Sequence, residues 1–74
     1  MDENEKITVK QLRLMRELTQ QDLAEMLGIT VQAYANKEAG KSRFYFDEVV
    51  MICEKLHFDF TKINCNFFEQ KVRN

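Results

Sequence analysis

LTQQDLAEMLGITVQAYANKEAGK, from Leu18 to Lys41, decides the fold. It reads as two short helices joined by a tight turn. Thr19 brings a hydroxyl suited to an N-cap, and Asp22 stands at the capping-box position. Leu23, Met26 and Leu27 recur at helical spacing and form an apolar stripe. Gly28 stands where a helix C-terminus needs positive φ, a conformation that a Cβ opposes. Thr30 caps the second helix, which is expected to run to about Ala39 and to be closed by Gly40. This is the layout of a helix-turn-helix, whose second helix is shaped to enter the DNA major groove.

Working outward, the rest of the chain also reads as helix. Thr8 caps the first helix, with Gln11 at the capping-box position. That helix is expected to end near Glu17, with a broad apolar face that includes Val9, Leu12, Leu14, Met15 and Leu18. The second helix is expected over Gln20–Leu27, the third over Val31–Ala39, and a loop over Lys41–Tyr45. The fourth, over Phe46–His57, has a stripe of Val49, Val50, Ile52, Cys53 and Leu56. Asp47 and Glu48 suit its N-terminus, and Lys55 and His57 its C-terminus. A short fifth helix or turn is expected over Thr61–Phe67, and Phe68–Asn74 is a tail able to add a short strand. The expected fold is all-α, a compact domain of four to five helices. Residues 1–6 read as a flexible acidic tail, 7–66 as the helix-turn-helix domain, and 67–74 as a C-terminal tail.

Composition narrows the function. Seventy-four residues make one small domain, and the burial margin at this size is thin. There is no apolar run long enough to span a membrane, and MDENEKI is not a secretory signal. An intracellular protein is expected. Cys53 and Cys65 lie far apart with no CxxC partner, so reduced thiols are expected rather than a metal site. Cys53 is expected to be buried, and Cys65, near the end of the fold, is open to oxidation. His57 is the single histidine, and there is no glycine-rich phosphate loop or nucleophile motif, so neither an enzyme nor a cofactor is expected. Net charge is −1, from eleven basic and twelve acidic residues. Setting aside residues 1–6 leaves ten basic against nine acidic residues. Such a chain must bind DNA through a local patch or as a dimer, or its partner is not DNA.

Thr-Gln-x-x-Leu-Ala-x-x-Leu-Gly, followed by a second helix and Gly-Lys, resembles the phage lambda repressor/Cro-like helix-turn-helix family, also called the XRE family. The likeness covers about Ile7–Ile63. NKEAGKSRFYFDE and INCNFFEQKV look like the small regulators of phages and prophages in Gram-positive bacteria. The family usually has Trp, Tyr, Ile or Leu where this chain has Lys37. Here the lysine stem is expected to pack while the ammonium lies near phosphate. The link Glu17-Leu18-Thr19 is short, so the first helix is expected to end abruptly. The resemblance implies a lambda-repressor-like domain that binds double-stranded operator DNA as a homodimer. It further implies a role in the lysis–lysogeny choice, in the cytoplasm of a bacterial host cell. No separate oligomerisation or cleavage domain is expected at this length, so the likeness is to a Cro-type protein, with a fragment of a longer repressor as the alternative.

The candidate contacts follow from the third helix. Its buried face is expected to hold Ala33, Tyr34 and part of Lys37, and its outward face Val31, Gln32, Ala35 and Asn36. Gln32 and Asn36 are the best base readers, because an amide donates and accepts at once and so matches adenine N6 and N7. Their i, i+4 spacing points both the same way. Val31 suits a thymine methyl, and Thr30 can both cap the helix and reach a phosphate. The resemblance implies a phosphate contact at Gln20, beside the N–H groups of a helix N-terminus. Lys41 and Arg43 are candidate phosphate clamps. Lys10, Arg13 and Arg16 are expected to form a solvated face. Phe44, Phe46, Phe58 and Phe60 are expected in the core and Tyr45 at the surface. Phe67 and Phe68 either form a dimer contact or fold back onto the domain. The rival reading is an antirepressor-type module that docks on a co-encoded repressor, which the near-neutral charge favours.

Overall fold

Each of the three threonines expected to begin a helix does so. The computed structural model describes residues 6–64. Cys65, Phe67, Phe68 and the expected tail strand lie outside them. Thr8 Oγ1 accepts from the Gln11 N–H at 3.0 Å, and Gln11 Oε1 accepts from the Thr8 N–H at 2.9 Å, which starts α1 (Val9–Met15). Thr19 and Asp22 make the same reciprocal pair, at 3.0 and 2.8 Å, and start α2 (Gln20–Leu27). Thr30 accepts from the Ala33 N–H at 3.0 Å and starts α3 (Val31–Glu38). At α4 (Phe46–Lys55) Glu48 reaches back to accept the Tyr45 N–H at 2.9 Å. Among the described residues the fold is all-α, as expected, with one 3₁₀ turn at Phe60–Lys62.

All four helices end alike. In each, the N–H that follows a left-handed residue reaches back to a carbonyl of the last turn: Leu18 to Arg13, Ile29 to Ala24, Lys41 to Asn36 and Phe58 to Cys53. This closure needs a left-handed residue just before that N–H. Gly28 and Gly40 supply it at φ 70° and 85°, while Glu17 and His57 adopt it at 58° and 55° with a Cβ in place. The abrupt end expected for α1 is therefore real, and α1 and α4 stop before Glu17 and His57. Leu18, Ile29 and Phe58, which follow three of these caps, turn inward to pack on the core. The fourth is Lys41, which is exposed.

The core lies between the helices. Leu12, Leu23, Ala24, Tyr34, Val49 and Ile52 are fully buried, with Val9, Phe44, Cys53, Leu56 and Ile63 nearly so. The apolar face of α1 is narrower than expected: Leu14 and Met15 are 54% and 56% exposed, and the buried residues of the helix are Val9, Leu12 and Arg13. Phe46, expected in the core, is 45% exposed. It is the first residue of α4, and its ring rests edge-on against Phe60 at 5.2 Å. Phe44 enters the core instead and meets the Tyr34 ring at 6.0 Å. Among the described residues, the expected fifth helix or turn is a 3₁₀ turn over Phe60–Lys62. Asp59 starts it by accepting from the Thr61 N–H at 3.0 Å. It stops because Ile63 pairs with Ile7 in an isolated parallel bridge, with Asn64 N–H donating to the Ile7 carbonyl at 2.8 Å.

Candidate nucleic-acid interface

The turn at Gly28 and the Thr30 cap set α3 across α2, and Tyr34 anchors it in the core. That leaves Val31 and Gln32 exposed and Ala35 and Asn36 half-buried on the outer side. Gln32 Nε2 donates to Asn36 Oδ1 at 3.3 Å, so the two amides stand side by side. The Asn36 carbonyl accepts the N–H groups of Lys41 and Ser42 at 2.8 and 3.3 Å, which folds the loop back against the end of α3. Lys41 and Arg43 are both exposed in that loop. Thr30, Val31, Gln32, Ala35 and Asn36 thus occupy α3 and its cap, with Lys41 and Arg43 just beyond its C-terminus.

Gln20 is placed differently from these. It lies in the first turn of α2, half-buried, and its Nε2 donates to Glu38 Oε1 at 2.8 Å. The capping pair takes the N–H groups of Thr19 and Asp22. Those of Gln20 and Gln21 have no acceptor inside the helix, as in any first turn. Asp22, which receives the Thr19 backbone and side-chain bonds, keeps its carboxyl below the ordinary range.

Beneath α3 lies a polar cluster that the sequence reading did not foresee. Arg13 was expected on a solvated face but is 8% exposed. Its Nε donates to Glu38 Oε2 at 2.7 Å, a second guanidinium nitrogen to Oε1 at 3.2 Å, and the third to the Leu18 carbonyl at 2.8 Å. Tyr34 Oη also donates to Glu38 Oε2 at 2.7 Å. One carboxylate therefore ties α1, α2 and α3 together. Burial opposes the charge on Glu38, but hydrogen bonds from Arg13, Gln20 and Tyr34 more than offset this, and its carboxyl stays below the usual range. The Glu38 bond pushes Arg13 up, against the effect of burial. Burial and then Glu38 push the Tyr34 hydroxyl up. The signal was present: Arg13 is four residues from Val9, on the buried side of α1, and Glu38 is four from Tyr34.

Two other cations depart from expectation. Arg16 is exposed by area, yet its Nε donates to the Leu56 carbonyl at 3.0 Å and closes the end of α4. Lys10 is exposed, as expected. The Lys37 stem packs as foreseen, but its ammonium turns inward to Glu48 Oε1 at 3.2 Å and the Arg43 carbonyl at 3.1 Å. The carboxylate of Glu48 draws it there.

The model of the Helix-turn-helix family matches residues 9–63, most of the chain. No curated protein and no solved structure matches it. Among the described residues no helix is long and apolar enough to cross a membrane.

Proposed function

The chain belongs to the XRE-type helix-turn-helix family of DNA-binding transcription regulators, and on that premise we propose that it reads operator DNA with α3 in the major groove. The observation that carries this reading is the paired Gln32 and Asn36 amides on the outer side of α3, with Lys41 and Arg43 exposed in the loop that follows it. Gln32 and Asn36 read base edges, Val31 and Ala35 make apolar contact with the groove floor, and Thr30, the backbone N–H of Gln20, Lys41 and Arg43 meet phosphates. The protein is a Cro-like regulator of a phage or prophage and acts as a homodimer on two half-sites. The sequence likeness to small regulators of Gram-positive phages supports the phage role.

The cations set the scale of affinity. Two phosphate-neutralising side chains per chain give a homodimer a log–log salt slope of about −4. Affinity then falls on the order of a hundredfold between about 50 and 200 mM salt. This is modest, as a net charge of −1 demands. That same charge favours the second reading, in which this surface docks on a co-encoded repressor and blocks it.

Binding of the purified chain to its own upstream intergenic DNA and to random DNA, across a salt series, separates the two. A preference for the upstream DNA with that slope supports the regulator. Weak binding without preference, together with capture of the co-encoded repressor, supports the antirepressor.

A further inference from the structure

We propose that Lys37 is a positioning residue of this interface: it clamps the α3–α4 loop so that Lys41 and Arg43 meet the phosphates, without itself touching DNA. The inference rests on the DNA-binding reading above for its purpose, and on contacts within the chain for its geometry.

Lys37 lies in the last turn of α3, where a cation is favoured simply by the helix dipole and could stay in water. It does not. Its side chain is only 11% exposed, and its ammonium makes one bond to the Arg43 carbonyl and one ion pair with Glu48. It also sits over the Tyr45 ring at 4.9 Å and near the Phe44 ring at 6.0 Å. One ammonium thus meets Arg43, Tyr45 and, through Glu48, the first turn of α4.

The loop is fixed at three other points. Asn36 holds the N–H groups of Lys41 and Ser42 at its start. The Phe44 ring is buried against Tyr34. Glu48 Oε1, the same oxygen that Lys37 meets, accepts the Tyr45 N–H at its end. The Arg43 carbonyl lies between these anchors, and Lys37 takes it. An apolar side chain at position 37 would pack against the same rings but offer Arg43 no donor. The lysine therefore fixes the backbone from which the Arg43 side chain springs, while its own charge is directed away from the solvent face.

The test compares wild type, Lys37→Met and Lys37→Arg, each alone and combined with Lys41→Ala and Arg43→Ala. Two readouts are taken: affinity for a random-sequence DNA duplex at low salt, and backbone order parameters of Ser42–Tyr45 in the free protein. Lys37→Met is expected to weaken binding roughly three- to tenfold, the scale of one hydrogen bond, and Lys37→Arg to restore most of it. In the background lacking both loop cations the loss shrinks to under about twofold, since the clamp then has nothing to position. The order parameters fall toward the flexible range, below about 0.6, in Lys37→Met alone. An equal loss in both backgrounds would show that Lys37 contacts DNA directly and overturn the proposal. Unchanged order parameters would overturn it as well. If wild type itself does not bind the duplex, the DNA-binding reading fails, and the clamp is then decided by the order parameters alone. Lys37→Gln replaces Lys37→Met if the latter does not fold.

Discussion

The outer side of α3 and its underside are built on opposite terms. On the outer side Gln32 and Asn36 share one long hydrogen bond at 3.3 Å, and Val31 stands in the open. On the underside Glu38 accepts from Arg13, Gln20 and Tyr34 at 2.7 to 3.2 Å, and Tyr34 is fully buried. The outer groups can exchange their bond for a partner's at little cost. The underside groups cannot be disturbed without leaving charge uncompensated in a low-dielectric setting. A reading surface has to be replaceable side by side with a mount that is not. Mutations on the two sides should therefore separate, one set acting on DNA and the other on stability.

The largest effect is expected from Glu38→Ala, which strands the Arg13 guanidinium. Breaking one side of a buried pair costs about 3–5 kcal/mol, a large part of the stability of a chain this small. Urea unfolding measures it, and a loss under about 1 kcal/mol would mean the cluster is far better hydrated than its burial indicates. Converting both partners, Arg13→Met with Glu38→Leu, sharpens the point. That pair is expected to recover the part of the loss that comes from the stranded guanidinium, while Tyr34 Oη and Gln20 Nε2 still lack their acceptor.

Acid should expose the same asymmetry. Glu38 has a folded-state pKa below its unfolded value. Its contribution is thus present above the ordinary carboxylate range, about 4.3, and is lost as pH falls through the lowered folded-state value. Melting temperature measured across acid pH should fall more steeply for wild type than for Glu38→Gln. Parallel curves would remove Glu38 from the acid limb.

On the outer side, Gln32→Ala is expected to lose about 1–3 kcal/mol of discrimination at one base position, with melting temperature nearly unchanged. Equal binding to all operator variants before and after the change would take Gln32 out of the base readers. Lys41→Ala is expected to weaken all sequences alike and to flatten the salt slope by roughly one. An unchanged slope would mean that it touches no phosphate. The smallest effect belongs to neither side. His57→Gly relieves the left-handed φ at the end of α4 and is expected to stabilise by roughly 0.5–1 kcal/mol, with DNA affinity unchanged. A loss of stability would show that the His57 side chain makes a contact worth more than the strain.

How far the sequence could be read follows from the range of each interaction. Thr8, Thr19 and Thr30 were legible because a cap bonds to a residue three positions on. Gly28 and Gly40 were legible because the backbone conformation itself selects glycine. Glu17 and His57 hold the same conformation but left no such mark. The Arg13–Glu38 bond joins residues twenty-five positions apart, and local pattern says nothing about such a pair beyond placing each charge on a buried stripe. Phe44 and Phe46 are alike by composition, and only the path of the chain into α4 sends one inward and the other out. Of the face expected outward on α3, Val31 and Gln32 are exposed, while Ala35 and Asn36 are half-buried, as is Ala33, which was expected inside. The loop cations were placed, but not the clamp at Lys37, because Glu48 becomes its neighbour only when α4 folds back on α3.

The most direct test is a nitrogen–proton chemical-shift titration of the labelled chain with a DNA duplex carrying its upstream sequence. Saturable shifts centred on Thr30–Asn36 and Lys41–Arg43, with the residues around Leu14, Met15 and Phe46 quiet, are the predicted result. Shifts centred on those exposed apolar residues instead, or none at all up to excess duplex, would contradict the account of α3 as the DNA-reading helix.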